Sequence, residues 1–151
     1  ELLCSIVGLN PKDNSVSWVQ VQEKLRSQEW IRDAEGFQEK TSDVSSPRDM
    51  AYLLKLIERR EVVSSKACEQ MLNILSRQQL TAMLPKKLPS LKTKVAHKTG
   101  GYFGVQCDVG IVYISESSYS VAIMAKEITD MVVIQSAIAD LSEAIYLSFA
   151  K

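Results

Sequence analysis

The feature that most constrains this chain is a change of hydrophobic period near residue 93. Before it, apolar side chains recur every three or four residues, as Met50, Leu53, Leu54 and Ile57 and then as Cys68, Met71, Leu72 and Leu75. After it, Val95 to Lys98, Val105 to Ile114 and Tyr119 to Lys126 are rich in β-branched residues and are parted by Gly-rich or Ser-rich turns. Helical spacing returns at the end with Ile134, Ile138, Leu141 and Ile145. A period of 3.6 lines one stripe of a helix, and a period of 2 lines one face of a strand. The pattern therefore predicts an antiparallel helix pair, three consecutive antiparallel strands, and a C-terminal helix across one face of the sheet. This is an α/β chain of the α+β kind. Residues 1–93 read as mainly helical with an irregular loop at about 28–45, and residues 94–151 as strands and a helix.

Helix starts are marked by side chains that can accept from orphan backbone N–H groups. Ser46-Pro47-Arg48-Asp49 has a capping serine, a proline where no N–H partner is needed, and an acid that completes the box. Ser17 with Gln20 has the same spacing ahead of Trp18, Val21 and Leu25, and a further helix is expected to start at Ser64 or Ser65. Leu2 to Val7 reads as a helix end closed by Gly8, and Asn10 to Asn14 as a turn. Around Gly36 and Thr41-Ser42-Asp43 no period holds. Pro85 and Pro89 bracket an irregular connection.

Composition excludes several functions. The 18 basic and 18 acidic side chains cancel, so no long-range field favours nucleic acid or an anionic membrane surface. Cys4, Cys68 and Cys107 are odd in number and widely spaced, which suits neither a disulfide framework nor a metal site, and they read as small apolar fillers. No metal or cofactor is expected. Met131 to Ala150 is interrupted by Gln135, Asp140 and Glu143, so a packed helix is expected there and not a membrane span. Trp18 and Trp30 read as core or loop anchors, and Lys86, Lys87, Lys92 and Lys94 as a solvated basic patch. The chain opens Glu1-Leu2-Leu3-Cys4, without a basic stretch that would mark a targeting segment, and its start reads as internal.

The segment His97-Lys98-Thr99-Gly100-Gly101, followed one turn later by Cys107-Asp108-Val109-Gly110, resembles the Lys-Thr-Gly strand of class A serine β-lactamases and penicillin-binding transpeptidases. Ser45-Ser46-Pro47-Arg48-Asp49-Met50-Ala51 is similar to the segment that opens the helix after the omega loop in that superfamily. The likeness runs from about Ser45 to the end, with a looser one before it, and implies part of one β-lactamase-like domain that lacks its N-terminal segment.

What the resemblance implies is serine acyl transfer on a β-lactam or a D-Ala-D-Ala-type amide. Lys98 and the Thr99 hydroxyl would bind the substrate carboxylate by charge-assisted hydrogen bonds. The backbone N–H of Gly101 would donate to the developing oxyanion. Gly100 and Gly101 would let substrate approach the strand without a side chain in the way. His97 is expected to point away from the groove, and Asp108 to be a structural hydrogen-bonding residue.

The nucleophile is expected elsewhere. No serine in the chain is read as opening a Ser-x-x-Lys motif, and Lys12-Asp13-Asn14 has the wrong first residue for a Ser-Asp-Asn element. The chain alone is therefore expected to be inactive and to need a missing N-terminal segment or a companion chain carrying Ser-x-x-Lys. Two departures from the family pattern bear on hydrolysis. Glu29, Glu35 and Glu39 lack the motif around a deacylating glutamate, and Gln106 stands where many members have an arginine. The alternative expectation is a non-catalytic module that keeps the fold for binding or self-association. By resemblance, the parent would be periplasmic or secreted.

Overall fold

The computed structural model describes residues 12–13, 15–27, 45–102 and 104–150, with no side-chain description at 18, 21, 25–27 and 102. The expectations for Leu2 to Val7, for the loop at 28–45, for Trp30 and for Cys4 lie outside the described residues. The chain divides into two compact units, Glu1–Val44 and Ser45–Lys151.

In the first unit, helix α1 spans Trp18–Ser27. Its start is a reciprocal box: the Gln20 amide donates to Ser17 Oγ at 3.3 Å, and the Ser17 amide donates to Gln20 Oε1 at 2.7 Å. Ahead of it, the Ser15 amide and hydroxyl both donate to the Asp13 carboxylate and hold its pKa below the usual range.

The second unit contains α2 (Pro47–Glu58), α3 (Ser65–Leu75), strands β1 (Thr93–Tyr102), β2 (Val105–Ile114) and β3 (Ser117–Lys126), and α4 (Met131–Phe149). Ser46, Ser64 and Asp130 cap the three helices with their side chains. Replacing Ser46 by alanine removes the acceptor for the Asp49 amide, 3.1 Å away. It is expected to cost about 1 kcal/mol, read as a lower urea midpoint at an unchanged slope.

The end of α2 carried no signal in the sequence. Arg60 adopts φ +63°, its amide donates to the Ile57 carbonyl and that of Glu61 to the Leu56 carbonyl. This is a Schellman closure with arginine where glycine is usual.

The strands form one antiparallel sheet in the order β1-β2-β3. Strand β2 has the expected bounds, whereas β1 extends beyond Val95 to Lys98 because Thr99, Gly100 and Gly101 continue to pair, opposite Asp108, Cys107 and Gln106. Alternation gives the sheet two buried faces. On one, Val112, Tyr119 and Val121 pack with Met83, Leu84, Leu88 and Ile138. On the other, Val109 and Ile111 pack with Leu54, while Met50, Leu72 and Leu75 close the sides.

Two core expectations shift by one helical position. Leu53 and Leu141 are exposed, and the buried stripes are Leu54 and Ile57 on α2 and Ile138, Ala139 and Ser142 on α4. Each leucine immediately precedes a buried residue, Leu54 and Ser142 respectively, and so lies at the margin of a narrow contact face. The outer side of α4 consequently shows Val133, Leu141 and Leu147 to solvent, each more than half exposed. By length and composition α4 is apolar enough to cross a membrane, and its Ile134, Ile138 and Ile145 pack against the sheet core.

Candidate active site

Among the described residues β1 pairs only with β2, which puts its C-terminal half at the edge of the described sheet. Successive side chains therefore fall on opposite sides of an edge strand. His97 and Thr99 turn to the face shared with α4, where 2% and 7% of their surfaces remain exposed. Lys98 turns to the opposite face, is exposed, and its ammonium donates to the Thr99 carbonyl.

Two grooves flank this strand. The smaller, about 430 Å³, runs from the end of α3 at Ile74 and Leu75 past Gln78, Gln79 and Leu80 to His97 and Lys98. The larger, about 710 Å³, has Thr99, Gly100 and Gly101 on one wall and the 79–83 segment, Lys86, Gln106 and Gln135 around it. Gln79 and Leu80 line both. The four residues singled out in the sequence are thus contiguous on β1 but divided: Lys98 borders one groove, and Thr99, Gly100 and Gly101 border the other.

Both glycines pack close to their cross-strand neighbours. A Cβ at Gly100 would stand 2.7 Å from Cys107 Sγ, and one at Gly101 would stand 3.1 Å from Gln106 Oε1. Gln106 is itself buried, and its amide nitrogen donates to the Gly100 carbonyl at 3.2 Å while touching Met83 Sδ at 3.4 Å. The Gln106 side chain therefore braces the glycine strip from beneath. Burial and the adjacent Asp108 carboxylate push the Cys107 thiol up, against the opposing pull of Lys98 and the Gly100 backbone. A thiol shifted this way is a poor nucleophile at neutral pH.

Behind the strip lies a buried polar network. His97 Nδ1 is 2.8 Å from Asp108 Oδ1, and Asp108 Oδ2 accepts from the Leu84 amide at 3.0 Å. The Ser142 hydroxyl donates to the Leu84 carbonyl at 2.8 Å. Asp108 has no exposed surface, so its carboxylate links β1, β2, the connector before β1 and, through Leu84, α4. His97 helps wall the smaller groove, although its imidazole is engaged inward.

One sequence expectation needs correction. Ser148 and Lys151 do have Ser-x-x-Lys spacing. Ser148 is an exposed residue near the end of α4, its hydroxyl donates to the Ile145 carbonyl at 2.6 Å, and it lines neither groove. Lys151, Glu29, Glu35 and Glu39 lie outside the described residues. Among the described residues, no group of three or more His, Cys, Asp or Glu is placed to hold a metal ion.

The sequence did not point to Met83, Lys86 or Gln135 as groove residues. They come from an irregular connector and from a distant helix, and no spacing joins them to β1. Gln106 was accessible, since a tight turn after Tyr102 sets it opposite Gly101.

No curated protein sequence matches the chain. Among solved structures it is similar to a β-lactamase from Sphaerobacter thermophilus DSM 20745, with a TM-score of 0.66 at 22% identity, covering 88% of this chain and 54% of that one. It is similar also to PBP-A, with a TM-score of 0.67 at 26% identity over 87% of this chain and 51% of that one. For the TLA-1 extended-spectrum β-lactamase the TM-score is 0.69 at 21% identity, over 80% of this chain and 47% of that one. The chain spans about half the length of these relatives. Residues 2–149 match the Beta-lactamase enzyme family, which is nearly the whole sequence. The helix pair, the three-stranded meander and the crossing helix are thus the architecture of known relatives, and the chain belongs to the Beta-lactamase enzyme family.

Proposed function

We propose that this chain supplies the substrate-holding half of a serine acyl-transfer site acting on β-lactam or D-Ala-D-Ala-type amides. Lys98 and Thr99 bind the substrate carboxylate, and the backbone N–H of Gly101 donates to the oxyanion that forms when the carbonyl is attacked. The nucleophilic serine and its lysine come from sequence outside these 151 residues, in the same product or in a companion chain. Without them the chain binds and polarises substrate but forms no acyl-enzyme. The observation that carries this reading is the placement of Lys98 to Gly101 at the rim of two adjoining grooves on the edge strand of the described sheet. Peptidoglycan and antibiotic substrates of this kind imply a periplasmic or extracellular site of action.

The test has two arms. Fluorescent penicillin is expected to leave the isolated chain unlabelled and to label the assembly once a segment carrying Ser-x-x-Lys is supplied. Benzylpenicillin binding to the isolated chain, followed by nuclear magnetic resonance titration, is expected to weaken about tenfold on Lys98→Ala, from loss of one charge-assisted hydrogen bond. Unchanged binding in that variant would refute the role given to Lys98.

A second reading, a non-catalytic binding or self-association module, is favoured by the exposed apolar strip Val133, Leu141 and Leu147 on α4. It predicts no labelling in any reconstitution, and a sedimentation coefficient that rises with concentration.

A further inference from the structure

Charge is segregated around β1. The two grooves are lined by Arg77, Lys98 and Lys86 and by no aspartate or glutamate, in a chain whose acidic and basic residues are equal in number at 18 each. The larger groove holds a single charged side chain, Lys86, among neutral amides and hydroxyls such as Gln79, Thr99 and Gln135. The neighbouring Lys87 is engaged in a salt bridge with Asp140 on α4. No ion pair among the described residues involves Lys86. Its root is fixed, because its amide donates to the carbonyl of buried Met83 at 3.1 Å and Met83 touches Gln106. An ammonium rooted this way beside an acid-free groove attracts an anion, and the two lysines line different grooves.

We propose that Lys86 determines specificity by receiving a second anionic group, so that the site prefers ligands with two separated carboxylates, one met by Lys98 and the other by Lys86. The inference rests on the binding role given to Lys98 above and goes beyond it by naming the ligand class. Lys86 is exposed, so water screens the interaction and the gain is modest.

Benzylpenicillin and carbenicillin differ only in a second, side-chain carboxylate, and both are titrated into the intact chain by nuclear magnetic resonance. Carbenicillin is expected to bind about fivefold more tightly. Lys86→Ala abolishes that difference and leaves benzylpenicillin binding unchanged, and Lys86→Glu reverses the preference. Equal affinities in the unaltered chain, or a preference that survives Lys86→Ala, overturn the role of Lys86 and leave that of Lys98 standing. Failure of both ligands to bind overturns both.

Discussion

Replacing Asp108 by alanine is expected to remove about 3–5 kcal/mol of folding stability, measured as a lower urea midpoint by circular dichroism. The carboxylate has no exposed surface and satisfies two donors at once, His97 Nδ1 and the Leu84 amide. Alanine leaves both without a partner in a closed interior, and each orphaned group costs roughly 1–3 kcal/mol. The small cavity adds a further penalty. Asparagine offers one acceptor oxygen in place of two, so Asp108→Asn is expected to fall between alanine and the unaltered chain. Since domains of this size have about 5–15 kcal/mol in total, the alanine variant approaches the limit of foldability. A loss under about 1 kcal/mol would show that the two donors find other partners and that the network does not brace the fold.

The second large effect is expected at Gly110, where alanine should cost about 3 kcal/mol. A Cβ there would stand 2.7 Å from His97 Cβ and 2.9 Å from the Ala96 carbonyl oxygen. The obstruction is the backbone of the paired strand, not the tip of a flexible side chain. Strands β1 and β2 must therefore separate at the position that holds His97 against Asp108. The two variants disturb the same imidazole, so their costs are expected to combine less than additively, and a double-mutant cycle measures the shortfall. Full additivity would mean that the glycine serves the strand spacing alone.

The sequence made the order of elements legible because periodicity and capping are local. Ser46 with Asp49, Ser64 ahead of α3, and the Ile134 and Ile138 stripe each state their own structure within one or two turns. Lys98 to Gly101 were also legible as a group, since adjacent residues stay adjacent. What they face was not. Their partition between two grooves depends on which connector residues border each stretch of an edge strand that continues to Tyr102, and the expected strand ended at Lys98, before the stretch that lines the larger groove. The engagement of His97 by Asp108 depends on a register eleven residues across a hairpin. Leu141 was assigned to the core because its spacing fits a wide stripe, whereas Ser142 takes the buried position to reach the Leu84 carbonyl.

All four helices among the described residues begin with a side chain from the residue just before the first turn, serine three times and aspartate once. Such contacts span three residues, so a helix can choose its starting point within about a microsecond, before any hairpin has closed. The strand pairing that unites His97 with Asp108 comes later on that clock. A refolding chain should therefore regain most of its far-ultraviolet ellipticity while its cleft is still unmade.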